Sequence, residues 1–253
     1  MFLAVPTLAA SAAEDPSALL QAGRKAVAAK DCAAAVKSFQ AAADLAEKAS
    51  PSPAQKATVQ QEALREIAEC HTAASNWDAA ETALWRRKEA LTHWTGPREL
   101  ELGHTLQGIA YIQIQRERWT FAERYAREAL AAYDAALKAP ERADAGPERS
   151  AGENAAKKRE SLAARPQVNA REAANRSKVA AFYTLGLALA LQRRTDDALK
   201  AWDEGYRLGE SFHPPPAAMM QIVVQAIDLH DMTKRTAGRS VWVERLRKLR
   251  TAK

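Results

Sequence analysis

The chain has 253 residues, room for one elongated domain or two small compact ones. Hydrophobic residues make up 47% but aromatics only 6%, with alanine filling much of the apolar share; with β-branched runs nearly absent, this is an all-α composition, VWV at 241–243 being the one strand-like trace. The net charge of +6 is local: Lys234, Arg235, Arg239, Arg245, Arg247, Lys248, Arg250 and Lys253 stand against Glu244 alone, so a basic tail follows a nearly neutral body. That distribution excludes nucleic-acid binding as a property of the whole surface.

Residues 1–15, MFLAVPTLAASAAED, join a short apolar run to a small-residue segment. This is the pattern of a secretory h-region and cleavage site, without the positive n-region such a signal needs. The expectation is a truncated signal or leader, hence a bacterial, periplasmic or envelope-associated protein; a cytoplasmic location is the alternative. The bacterial reading rests on that leader and on the Ala/Arg-rich style.

From residue 16 one phrase recurs: DCAAAVKSF at 31–39, NWDAAETAL at 76–84, RWTFAERYA at 118–126 and RTDDALKAW at 194–202. The small residues Ala35, Ala80, Ala122 and Ala198 each follow, by twelve positions, another small residue: Gly23, Ala68, Ala110 and Gly186. Large apolar residues keep step: Leu19, Leu64, Leu106 and Phe182 before the first small residue, Phe39, Leu84 and Trp202 after the second. Seven places after the second small residue stand Ala42, Ala129 and Gly205, but Arg87 breaks the series. Such spacing predicts antiparallel helix hairpins, because small residues let two helices approach while large ones at i and i+3 fill the shared seam. Cys32, Trp77, Trp119 and Thr195 open the second helices.

This pattern resembles the tetratricopeptide repeat (TPR) family. FYTLGLALALQRRTDDALKAW is the cleanest copy, and TLQGIAYIQIQRERWTFAERYAREALAAY is similar to the longer repeats of kinesin light chains. The steps of 45 and 42 residues between the first three copies exceed the basic period of about 34. The resemblance implies an all-α, right-handed TPR solenoid of antiparallel hairpins. Copies one to three occupy residues 16–138 and copy four 179–212. Residues 139–178 hold only Leu162 and Val168 as large apolar residues, so they read as a charged flexible or helical insertion, with an extended first helix from about Asn169. Residues 213–253 read as a capping region. HPPP stops one helix, 217–232 form the next with Met220, Val223, Ile227 and Met232 for burial, and a basic amphipathic helix follows from Val241.

Catalytic chemistry is not legible. P-loop, GxGxxG, HExxH and GxSxG signatures are absent, and His71 next to Cys70 points about 100° away from it on a helix. Neither metal-ligand nor haem spacing exists around Cys32 and Cys70, which read as buried packing thiols, a disulfide between them being the alternative. No cofactor and no enzyme activity are expected. In the TPR family the first helices line a concave groove that binds peptides or proteins. Carried across by register, that groove takes Ser17, Leu20, Arg24 and Val27 from copy one, and Glu62, Arg65 and Glu69 from copy two. Copy three supplies His104, Gln107, Tyr111 and Ile114; copy four supplies Tyr183, Leu187 and Leu191. The Lys/Asn/Lys/Arg clamp of chaperone-tail adaptors is missing, so the partner expected is a protein offering an amphipathic helix or extended hydrophobic segment.

The function expected is therefore a non-enzymatic interaction scaffold. The alternative is a peripheral adaptor on an anionic membrane surface, through a tail in which Trp242, Leu246 and Leu249 oppose Arg239, Arg245, Arg247, Lys248 and Arg250. Nucleic acid is the weakest partner reading, since one basic helix supplies neither a dimer nor a stacking platform.

Overall fold

The computed structural model describes residues 15–50, 52–139 and 153–251. Among them it contains ten α-helices and no strand. The leader expected at 1–15 falls almost wholly outside these residues, as do positions 140–152 of the expected insertion. The chain divides into two compact units, Met1–Thr95 and Gly96–Lys253.

The first unit contains α1 (Pro16–Ala28), α2 (Cys32–Ala49), α3 (Pro53–Ala73) and α4 (Trp77–Ala90). They pack as two antiparallel hairpins, with α3 touching both α1 and α2. Each helix has a side-chain N-cap: Asp15, Asp31, Ser52 and Asn76 accept from backbone N–H groups of the first turn. The register places Gly23 against Phe39: a Cβ added at Gly23 would sit 2.6 Å from the Phe39 ring, so glycine is what lets that buried ring in. In α1 the buried residues are Leu20 and Gly23, whereas Ala22 is exposed and Leu19 half-buried, so the first seam is shifted from the expected one.

The second unit contains α5 (Arg98–Gln115), α6 (Trp119–Lys138), α7 (Glu153–Leu191), α8 (Thr195–Gly209), α9 (Ala217–Met232) and α10 (Arg239–Thr251). The first helix of copy four is thus 39 residues long. Its last part, from Ala174 on, packs against α5, α6, α8 and α9. The core centres on Trp202, Tyr206, Leu185, Leu189, Met219, Ile222 and Val223. Helix α9 buries Met219, Ile222, Val223, Ala226 and Leu229. Of the four residues expected to be buried there, only Val223 is: Met220 and Ile227 are half-buried and Met232 is 79% exposed. The buried stripe lies one position earlier because α9 meets both α7 and α8.

One turn closes every hairpin. Lys30, Ser75, Glu117 and Arg193 adopt left-handed backbone, with φ of 61°, 55°, 58° and 62°. The next residue's N–H reaches back five positions: Asp31 to Ala26, Asn76 to His71, Arg118 to Gln113 and Arg194 to Leu189, at 2.8–3.0 Å. That is the Schellman arrangement, which satisfies the helix's last carbonyls. Lys234, at φ 53°, repeats it between α9 and α10 with Arg235 N–H on His230 O, so the cap begins as a fifth hairpin. None of the five residues is glycine, and a Cβ in left-handed backbone is strained. Glu117→Gly is therefore expected to raise the unfolding free energy by roughly 0.5–1 kcal/mol, net of glycine's extra freedom in the unfolded chain. Urea titration followed by circular dichroism reads that gain.

Candidate functional site

In the first unit the first-helix face is polar and internally paired. Arg24 Nε donates to Glu62 Oε1 at 2.9 Å, joining α1 to α3. Arg65 donates to Glu66 Oε1 at 2.6 Å and lies 3.8 Å from Glu69 Oε1. Leu20, expected on this face, is buried, while Val27 is exposed.

In the second unit the same register gives an apolar face flanked by spent polar groups. Gln107 accepts from the Tyr133 hydroxyl at 2.8 Å, and His104 stands edge-on to the same ring with centroids 5.6 Å apart. His104 Nε2 also lies 2.9 Å from Ser177 Oγ, a link from α5 to α7. These two groove candidates therefore hold helices together. Glu101 is 3.7 Å from His104 Nδ1, so glutamate, histidine and serine follow one another in space. Chemistry does not follow from that order. Ser177 is in the interior of α7, where backbone N–H groups are committed to the helix and none is left to stabilise an oxyanion; 3.7 Å is also too long for a hydrogen bond. Among the described residues no three His, Cys, Asp or Glu side chains are grouped to hold a metal ion.

What remains on this face is Tyr111, 41% exposed, and Leu191, 37% exposed, with Tyr183 and Leu187 half-buried between them. Burial, and then the charge interaction with Tyr111 of α5, push the Tyr183 phenol up. Leu187 seats against Ile114, Ala122 and Ala188. Ile114 is buried rather than lining the face. A residue missed in sequence is Val224 on α9, 39% exposed. It stands ten places before the left-handed Lys234, as Tyr183 stands ten before Arg193 and Gln107 ten before Glu117. The missing signal was the turn itself, which gives α9 the register of a first helix.

Behind the face, Glu123 of α6 anchors the turn that follows α7. It accepts from Arg127, Gln192 and Arg194 at 2.8–3.1 Å, and its side chain is 14% exposed. Burial would push its carboxyl up, but those three donors outweigh it and hold the pKa below the usual 4.5. A depressed carboxylate stabilises the fold fully above its unfolded value and loses that contribution as pH falls through the folded one. The second unit is expected to lose stability below about pH 4.5. Glu123→Gln should flatten that loss while costing about 1–2 kcal/mol at pH 7, measured by denaturation at stepped pH.

The basic tail is not a free amphipathic helix. Trp242 is 5% exposed and edge-on to Tyr206, with ring centroids 6.2 Å apart. The Arg245 guanidinium lies 4.3 Å from the Tyr206 ring and 4.4 Å from the Trp242 ring, and donates to Asp203 at 2.6 Å. Leu246 and Leu249 pack on the core. Arg239 clasps Asp231 with two bonds of 2.6 and 3.0 Å, and Arg247 pairs with Glu244 at 3.0 Å. Lys248 and Arg250 are both exposed. The apolar side of α10, which a lipid-anchoring tail would insert, is occupied by α8 and α9. Among the described residues no helix is long and apolar enough to cross a membrane.

Neither a family model nor a curated protein matches the chain. Solved structures do. A putative kinesin light chain of Podosopora anserina with nearly identical TPR-like repeats aligns at 11% identity over 94% of this chain and 97% of its own, TM-score 0.59. BtubC (BKLC) of P. vanneervenii aligns at 14% identity over 96% of this chain and 92% of its own, TM-score 0.52. Hairpin seams, repeated Schellman turns and these alignments lead to one conclusion: the chain has the TPR-like fold.

Proposed function

We propose that this protein is a non-enzymatic scaffold that captures a partner protein on the first-helix face of its second unit. The observation that carries the reading is the cluster Tyr111, Tyr183, Leu187 and Leu191. Tyr111 and Leu191 are exposed and Tyr183 and Leu187 half-buried beside them, and apolar side chains left at a surface in this way mark contact sites. Its chemistry suits an amphipathic helix or an extended hydrophobic segment, which would bury leucine and aromatic anchors against the two tyrosines. A TPR-like fold is commonly a platform for such contacts, although a fold does not by itself fix a function.

The test is affinity capture from the native host with Tyr111→Ala and Leu191→Asp, both at solvent-facing positions. Each is expected to reduce capture by about tenfold or more while helicity by circular dichroism is kept. Capture unchanged in both variants would remove the face as the site. The tail enters this proposal as a structural cap, and a chain with Lys248 and Arg250 changed to Gln is expected to capture the same partners.

A further inference from the structure

Cys32 opens α2, and Cys70 stands in the last turn of α3. Cys32 is half-buried and Cys70 buried, and both are free thiols. The repeat explains why they meet. Between copies three and four, the Gln192 side chain donates to Trp119 O at 3.4 Å and to Ala188 O at 3.1 Å, which brings those two backbone oxygens to one amide group. The residue that opens a second helix therefore lies beside the residues one and five places before the next left-handed turn residue. In the first unit that rule sets Cys32 beside Ala74 and Cys70. One hairpin contributes the first sulfur, the next hairpin contributes the second, and α2 packs on α3 along their length.

We infer that Cys32 and Cys70 form a dithiol–disulfide couple that closes by exchange with a small-molecule disulfide and ties the first hairpin of the first unit to the second. This is independent of the partner-binding face. The steps balance as ordinary exchange. The Cys32 thiolate attacks one sulfur of the small disulfide, forms a mixed disulfide and releases one thiolate. The Cys70 thiolate then attacks the Cys32 sulfur, forms the Cys32–Cys70 bond and releases the second thiolate. The protein loses two protons and two electrons, and the small disulfide is reduced to two thiols. Cys32 attacks first because it is the less buried of the two residues. Cys70 is held protonated: burial first, then its hydrogen bond and charge interaction with Cys32, push its thiol up to about 12. The last two of those influences end when Cys32 becomes a mixed disulfide, so the resolving step is eased by the first one. Burial persists, so closure is expected to be slow at neutral pH and to quicken about tenfold per pH unit while Cys70 remains mostly protonated.

The test uses the full chain, natively folded, with oxidised glutathione as the probe. Products are read by intact mass and by peptide mapping after alkylation. The expected product is a monomer lighter by two hydrogen atoms, carrying a Cys32–Cys70 bond, whose ratio to the glutathione adduct is about a hundredfold higher than in guanidinium, where the two sulfurs are no longer held together. Cys70→Ser is expected to stop at a single adduct on Cys32. A folded wild-type chain that stops at the adduct, keeps both thiols free at high pH, or links Cys32 to a second chain would overturn the inference, as would a native-to-unfolded ratio near unity. Circular dichroism of the oxidised product distinguishes closure within the fold from trapping of an unfolded form.

Discussion

Trp202→Ala is expected to cost about 4 kcal/mol, a large share of the total stability of a domain this size. Trp202 is 1% exposed, and its indole N–H donates to Tyr183 O at 3.1 Å. Removal therefore leaves a large cavity and strips an added bond from a carbonyl of α7. The ring fits only because residue 186 is glycine: a Cβ there would sit 2.2 Å from Trp202 Nε1. Gly186→Ala should thus cost about 2–3 kcal/mol, although alanine is the better helix former, because the ring has to leave its seat. The two sites are one fitted pair, so their effects should not add. In the Gly186→Ala, Trp202→Leu double variant the new methyl falls into space the ring has vacated. Its loss should be at least about 1 kcal/mol smaller than the Gly186→Ala and Trp202→Leu single losses combined. Urea titrations read by circular dichroism give all four values, and additivity within the usual error would show that the glycine does not seat the ring. Because Tyr183 supplies the acceptor, the same core fixes the tyrosine beside Tyr111 on the proposed contact face.

How far the sequence discloses this fold depends on how local each signal is. Gly23 with Phe39 and Gly186 with Trp202 lie 16 residues apart on either side of one turn, so a single spacing rule finds them. The left-handed turn residues escape such reading, because lysine, serine, glutamate and arginine carry no composition mark for positive φ, and only the repeated structure shows them as one device. Long-range partners are the least legible. His104 and Gln107 have the right register for a groove but are held by Ser177 and Tyr133. In sequence Trp242 shows only as part of an apolar stripe opposing the tail's cations, because Tyr206, on which it packs, belongs to another helix. The apolar part of the face, Tyr111 to Leu191, follows from register alone, while Val224 requires knowing that α9 ends in the same turn as a first helix.

Arg87→Ala is expected to cost about 3 kcal/mol, and Arg87→Met about 1–2 kcal/mol less. Arg87 stands where the other copies have Ala42, Ala129 and Gly205, yet it is 1% exposed. A guanidinium stays charged in a protein, so burying one is costly unless its donors are met. Here Nε donates to the Gln61 backbone oxygen at 2.9 Å and Nη2 lies 3.3 Å from Gln61 Oε1. Gln61 occupies the register position that Gly103 and Val179 hold in copies three and four, so the polar pair replaces a tight apolar contact with a longer, hydrogen-bonded one. Alanine removes the charged bonds and leaves the space of a long side chain empty. Methionine gives up the same bonds but fills most of the space, and apolar replacement of a buried charge is often close to neutral. The comparison isolates which contribution dominates. Methionine near wild type, with alanine far below, would mean that Arg87 is there to fill volume, its charge being tolerated. Equal losses would mean that the charge itself holds α4 on α3, and Gln61→Ala should then be nearly as damaging as either. Thermal and urea unfolding of the three variants decide between these, since the pair lies wholly within the first unit.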